Sequence, residues 1–346
     1  MPELRFEPLA KLVNTISPGA GAELNYTEMP GGASTRRYFR VSLAHGSAIG
    51  MFVPEGGKPE EIGKDHAPPR WPFLEVRDLL AEHGVDVPKI LAENTEAGWL
   101  LLEDLGDDTL ANYLLRDPGA KPRLYARAVS DLAAAQIALK KLPEGSVVGT
   151  RSFDHDLLKL EIDHFREWGL EARGHKLNDA DRESFDRIAE ALAKRIASWP
   201  RGFVHRDYQS RNLMVRDQET LCWIDFQDAL LGPRIYDMVA LLNDSYQEFD
   251  RAFVEERLAE YAEKTGLKGK AREALGREFD YMTVQRKLKD AGRFVFIDRT
   301  KKNSTFLRFV TPTVKKVSLS LERLAKDDPD MAELLALLRR VLPDEA

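Results

Sequence analysis

Two apolar runs, Tyr38-Phe39-Arg40-Val41-Ser42-Leu43 and Ala48-Ile49-Gly50-Met51-Phe52-Val53, flank a turn at His45-Gly46 within a strand-like region spanning about residues 24–53. They predict adjacent antiparallel strands. Residues 54–72 are rich in Pro, Gly and charge and predict a loop. Phe73, Val76, Leu79 and Leu80 then recur at helical spacing, and Gly84 is placed to end that element. Residues 85–91 and 99–102 read as further strands, which gives the first part of the chain four or five strands and one helix. Beyond Gly106 the apolar period lengthens, and helices are predicted over 124–139, 157–168 and 185–199. In the last of these Phe185, Ile188, Leu192, Ile196 and Trp199 form one stripe, stopped by Pro200. A short hairpin (213–215 and 221–224) precedes mostly helical segments at 236–246, 253–265, 271–296 and 314–341. The pattern predicts an α+β chain, with a small β-rich N-lobe over 1–105 and a larger, mainly helical C-lobe over 106–346.

A length of 346 residues exceeds the usual size of one core, which agrees with two lobes. Hydrophobic residues make up 43% and charged residues 31%, as in ordinary soluble proteins. The formal charge of −6 gives no reason to expect nucleic acid or an anionic membrane as partner. Cys222, the one cysteine, excludes an intramolecular disulfide and suits a reducing compartment. No signal-like or membrane-length apolar run is visible, so a cytoplasmic location is expected, as a monomer or small homo-oligomer. The seven histidines are scattered without metal-site spacing, and no structural zinc is expected.

The densest chemistry lies at Phe203-Val204-His205-Arg206-Asp207-Tyr208-Gln209-Ser210-Arg211-Asn212, followed by Ile224-Asp225-Phe226. Phosphoryl transfer needs a carboxylate to orient and deprotonate the attacking hydroxyl, and separate oxygen ligands for magnesium. His-Arg-Asp, four residues and Asn is the kinase catalytic-loop pattern, and Asp225 heads the segment after the hairpin, where a second metal ligand stands. Asp207 is then the base, Asn212 and Asp225 hold Mg2+, and His205 and Arg206 brace the loop. Asp237, at the start of a predicted helix, can cap that helix or accept backbone N–H groups of the loop. The small-residue segment Gly31-Gly32-Ala33-Ser34-Thr35 can turn backbone N–H groups towards phosphates, and ends beside Arg36 and Arg37. The strand exit at Glu103-Asp104-Leu105-Gly106 is a candidate adenine hinge at Glu103 and Leu105. Arg286, Lys289 and Arg293 share one helical face, either solvated or turned to an anionic acceptor.

At these residues the chain resembles the aminoglycoside phosphotransferase-like superfamily, the small-molecule relatives of protein kinases, with the match falling on Asp207, Asn212, Asp225 and Asp237. Within it, Ser34 to Val41, Leu100 to Gly106, His205 to Val215, Asp225-Phe226-Gln227-Asp228-Ala229 and Gln285 to Lys289 look like the bacterial anomeric sugar kinases. That resemblance implies a bilobal protein-kinase-like fold and ATP with Mg2+ as cofactors. It also implies an amino-sugar acceptor, N-acetylmuramate or N-acetylglucosamine, phosphorylated at C1 in cell-wall recycling. Ser34, Thr35, Arg36, Arg37, Glu103 and Leu105 would bind nucleotide, and Gln209, Arg211, Asp228, Arg286 and Lys289 are candidates for the acceptor. One departure stands out: the strand over 48–53 has no lysine for the phosphates, Met51 occupies the expected place, and Arg36 or Arg37 could replace the charge. Other expectations are transfer to an aminoglycoside or another small alcohol, or a catalytically weak nucleotide-binding regulator.

Overall fold

Leu9, Leu12 and Val13 fall on one face of a helix that covers the first sheet, and Gly50 is the strand residue that admits it. A Cβ at Gly50 would stand 2.9 Å from Leu9 Cδ1. The computed structural model describes residues 4–30, 35–54 and 70–346, so Ser34, the glycines before it and most of the 54–72 loop lie outside the described residues.

In chain order the elements begin α1 (Glu7–Ile16), β1 (Tyr26–Glu28), β2 (Arg37–Ser42), β3 (Ser47–Phe52), α2 (Pro72–Glu82), β4 (Ile90–Asn94), β5 (Trp99–Glu103) and α3 (Leu110–Arg116). They continue α4 (Lys121–Ala138), α5 (His155–His164), α6 (Asp179–Ala197), β6 (Arg201–Val204), β7 (Leu213–Arg216), β8 (Thr220–Trp223) and β9 (Leu230–Pro233). The chain finishes with α7 (Tyr236–Leu242), α8 (Arg251–Lys264), α9 (Lys270–Glu273), α10 (Leu275–Lys301), α11 (Val310–Leu324) and α12 (Pro329–Val341).

The chain divides into two compact units, one of residues 1–116 with 212–228, the other of 117–211 with 229–346. The first holds an antiparallel five-stranded sheet in the order β1-β2-β3-β5-β4. Alternation sends Phe39 and Val41 of β2 to the face covered by α1, where they join Leu9, Leu12, Val13, Ala48, Phe52, Trp99 and Leu101. Helix α1 was not among the elements read from the sequence, and 85–89 is not strand, since β4 begins at Ile90.

The β7–β8 hairpin belongs to this first unit although the sequence reading assigned it to the second lobe. Its attachment is specific. Arg216 pairs with Glu103 at 2.8 Å and Asp86 at 3.2 Å, the Val215 N–H donates to the Asp108 carbonyl at 2.7 Å, and the Trp223 N–H donates to the Asp86 carbonyl at 2.8 Å. Phe226 packs on Phe73 with ring centroids 5.0 Å apart.

In the second unit the predicted helical segments appear. The mostly helical segment over 314–341 consists of α11 and α12, separated at Asp328-Pro329, where the Asp328 carboxylate caps the second helix through the N–H groups of Asp330 and Met331. Strand β6 pairs with β9, which brackets the loop from residue 205 onward. Among the described residues no helix is long and apolar enough to cross a membrane.

Candidate active site

The second unit carries the loop that follows β6. Arg206 has φ +80°, a left-handed backbone that costs a non-glycine residue about 1 kcal/mol or more, so its neighbours must hold it. They do so on both sides. The Asp237 carboxylate, in the first turn of α7, accepts the N–H groups of His205 (2.7 Å) and Arg206 (3.0 Å). On the other side, Arg286 of α10 donates to the Arg206 carbonyl at 2.8 Å. Asp237 lies fully inside, and burial pushes its carboxyl up to about 7 against the pull of those N–H groups and of Arg286.

Asp207 follows the clamped residue. Its Oδ1 is 3.5 Å from the Arg286 guanidinium, which is 2% exposed, while Asp207 itself is about a third exposed at 36%. Burial alone would raise this carboxyl, but Lys289, Arg286, Arg206 and His205 together draw it below the usual aspartate value. His205 accepts the Asp207 N–H on Nδ1 at 3.3 Å, and the Gln209 N–H donates to the Asp207 carbonyl at 2.9 Å. The Arg206 guanidinium reaches Glu161 of α5 at 3.6 Å, and Gln285 donates to the same carboxylate at 2.9 Å. Asp244, just past α7, fixes the far end of the loop: its Oδ2 accepts the Ser210 N–H (2.8 Å) and hydroxyl (2.5 Å). The result is an ionised carboxylate on a loop held by two acidic side chains and one arginine.

The first unit holds Asn212 and Asp225. The Asn212 amide nitrogen is 3.5 Å from Asp225 Oδ2, and the Ile224 N–H donates to the Asn212 carbonyl at 3.0 Å, so the base of the hairpin brings them together. Asp225 has φ +63° and a side chain 43% exposed. Gln227 donates to both Asp225 Oδ1 (3.1 Å) and Asp228 Oδ2 (2.8 Å), which places Asp228 beside Asp225. One carboxylate and one amide oxygen, with Asp225 open to solvent, are a donor set that fits a hard cation sharing its remaining positions with phosphates and water. Among the described residues no cluster of three or more His, Cys, Asp or Glu side chains forms a self-sufficient metal cage.

The two arginines offered as substitutes for the strand lysine diverge. Arg36, 11% exposed, directs its guanidinium to Asp225 Oδ1 at 3.4 Å. Arg37 instead pairs with Glu28 at 2.8 Å on the exposed β1–β2 edge. Thr35 is exposed and precedes Arg36, while Met51 is fully buried. At the strand exit the Glu103 side chain holds Arg216 and its N–H donates to the Lys89 carbonyl at 2.9 Å, with half-buried Leu105 two residues on. Of the three cations on the predicted α10 face, Arg286 reaches Asp207, Lys289 pairs with Asp290 at 3.2 Å, and Arg293 lies over Phe296 at 4.9 Å. Glu161, Gln227, Asp244 and Gln285 were missed. Each acts across the fold or through a neutral amide, and no local spacing announces it.

A clamped, partly exposed aspartate on one loop and an Asn–Asp pair at the base of a hairpin are the groups expected of a phosphotransferase. The phosphotransferase enzyme family, APH, matches residues 25–274, and the chain belongs to it. It is similar to the N-acetylmuramate/N-acetylglucosamine kinase of Neisseria meningitidis serogroup B, 30% identical across 97% of this chain and 96% of that protein. The protein of the same name from Pseudomonas aeruginosa is 34% identical over 88% of this chain and 85% of its own length. The fold is similar to a choline kinase from Cryptosporidium parvum Iowa II, with TM-score 0.63 and 12% identity over 96% of this chain and 99% of that one. The chain is a phosphotransferase with a protein-kinase-like α+β fold.

Proposed function

We propose that this protein transfers the γ-phosphoryl group of ATP to the anomeric hydroxyl of an N-acetylated amino sugar, N-acetylmuramate or N-acetylglucosamine, in cell-wall recycling. The observation that carries the reading is the state of Asp207, a clamped carboxylate kept ionised by Arg286, Lys289 and Arg206. It accepts the hydroxyl proton as the sugar oxygen bonds to the γ-phosphorus; the bond from that phosphorus to the bridging oxygen breaks and ADP leaves with the electron pair. A carboxylate held below its usual range is a weak base. The anomeric hydroxyl is the most acidic on a reducing sugar and suits it best.

Asn212 and Asp225 would hold Mg2+, which when bound neutralises charge on the transferring phosphates. Arg36, aimed at the same carboxylate, supplies positive charge there in place of a strand lysine. The names of the relatives support the choice of sugar. A cationic acceptor such as choline or an aminoglycoside is disfavoured, because the relatives that match most of the chain are named as kinases of N-acetylated sugars.

The test is ADP release from magnesium-ATP across N-acetylmuramate, N-acetylglucosamine, glucosamine, choline and kanamycin, with Asp207→Asn as the blank. Turnover with an N-acetylated sugar, absent from the blank and yielding an acid-labile phosphate, supports the proposal. Turnover confined to choline or kanamycin refutes it.

A further inference from the structure

Arg211 stands on the catalytic loop four residues after Asp207. Its guanidinium lies 3.5 Å from the centroid of the Tyr246 ring and 5.9 Å from that of Phe309. It is half-buried, yet among the described residues no carboxylate, carbonyl or hydroxyl oxygen pairs with it. The other loop arginine differs: Arg206 reaches Glu161, and Arg286 beneath the loop reaches the Arg206 carbonyl and Asp207. A guanidinium gripped by its face keeps its N–H edge for something else.

The grip is rigid. Asp244 accepts the Ser210 N–H and hydroxyl on Oδ2 and the Tyr246 N–H on Oδ1 at 2.9 Å, so one carboxylate fixes both the residue before Arg211 and the ring beneath it. Lys316 donates to the carbonyls of Asp244 and Gln247, Lys287 donates to Ser245 at 3.3 Å, and Phe309 stands edge-on to Tyr246 at 4.9 Å. A donor fork ordered in this way before ligand arrives loses little side-chain freedom on binding, and its planar N–H pairs match the two oxygens of a carboxylate.

We infer that Arg211, laid on Tyr246, receives a carboxylate of the acceptor and gives the enzyme a preference for an acidic over a neutral amino sugar. This rests on the proposal that the acceptor is an N-acetylated amino sugar. N-acetylmuramate carries the carboxylate on its lactyl ether, N-acetylglucosamine lacks it, and the methyl ester of N-acetylmuramate keeps the shape without the charge.

The experiment measures kcat/KM for these three acceptors in the wild-type protein, Arg211→Gln and Arg211→Lys. In the wild type the acid is preferred to its ester; in Arg211→Gln the acid-to-ester ratio falls by about 10- to 100-fold, chiefly through KM for the acid, as expected for loss of a bidentate charge-assisted pair. Arg211→Lys restores part of that ratio, since it keeps the charge without the fork. An equal loss on acid and ester, or a loss expressed in KM for ATP, overturns the inference. Residual turnover of N-acetylglucosamine by the variant reports that fold and nucleotide site survive. Wild-type protein that phosphorylates none of the three sugars refutes the sugar assignment itself, and is distinguishable from failure of the Arg211 inference, which leaves sugar turnover intact.

Discussion

Replacing Arg286 with glutamine should damage catalysis and stability together, through a side chain that is itself no nucleophile, base or metal ligand. The guanidinium donates to the carbonyl of strained Arg206 at 2.8 Å and stands 3.5 Å from Asp207, over the Tyr236 ring at 4.6 Å. Loss of a charge-assisted hydrogen bond costs about 1.5–3 kcal/mol, and opening an ion pair with one buried partner adds to it, for a stability loss of about 3 kcal/mol. Relaxation of the 206–207 backbone displaces Asp207, the proposed base; a shift of about 1 Å at a reacting group is enough to lower kcat on the order of 10²-fold. The pH profile gives a second, independent readout. In the folded wild type the Asp207 carboxyl lies below the usual aspartate value, so its ionised form is present above that range and lost only as pH falls through the depressed value. Without Arg286, burial is opposed by fewer cations, the carboxyl rises, and the acid limb of log kcat moves to higher pH. The assay is steady-state ADP release over a pH series with thermal unfolding in parallel. A variant within about threefold of wild-type kcat, with an unmoved acid limb, would refute the reasoning, since either effect alone follows from the same contacts.

Two further predictions test the other clamps. Arg36→Gln should raise KM for ATP by about tenfold, while Arg37→Gln, whose partner is Glu28 on the exposed edge, should stay within about twofold; titration of ATP against both variants checks this, and equal effects would remove Arg36 from its assigned place. Asp244→Ala leaves the Ser210 and Tyr246 N–H groups without their shared acceptor and should cost about 2–3 kcal/mol, measured by denaturant unfolding; a change below about 0.5 kcal/mol would show that water replaces it.

Much of the second unit was legible because its helices carry long apolar stripes, and the candidate phosphotransfer residues stood out because they fall within one loop and one hairpin. Helix α1 escaped because its buried residues, Leu9, Leu12 and Val13, make too short a stripe to stand out beside Pro8 and polar neighbours. The grouping of the hairpin with the first unit depends on Arg216 meeting Glu103 and Asp86, more than a hundred residues earlier, and no local spacing encodes that. The site shows the same division. Asp207, Asn212 and Asp225 are visible as a motif, and Asp237 as a candidate cap. The clamps from Arg286, Glu161 and Asp244 become visible only when α5, α7 and α10 are packed. Arg286 and Lys289 could be placed on one helical face from spacing, but their pairing with Asp207 and Asp290 could not.

The most direct test of the central claim is the position of the phosphate. Wild-type protein and Asp207→Asn are each incubated with magnesium-ATP and N-acetylmuramate or N-acetylglucosamine, and the product is analysed by proton–phosphorus correlation. Phosphorus coupled to the anomeric proton in the wild-type reaction, with no such signal from Asp207→Asn, is the predicted result. Coupling to a proton at any other ring or exocyclic position, or undiminished product from the variant, contradicts it.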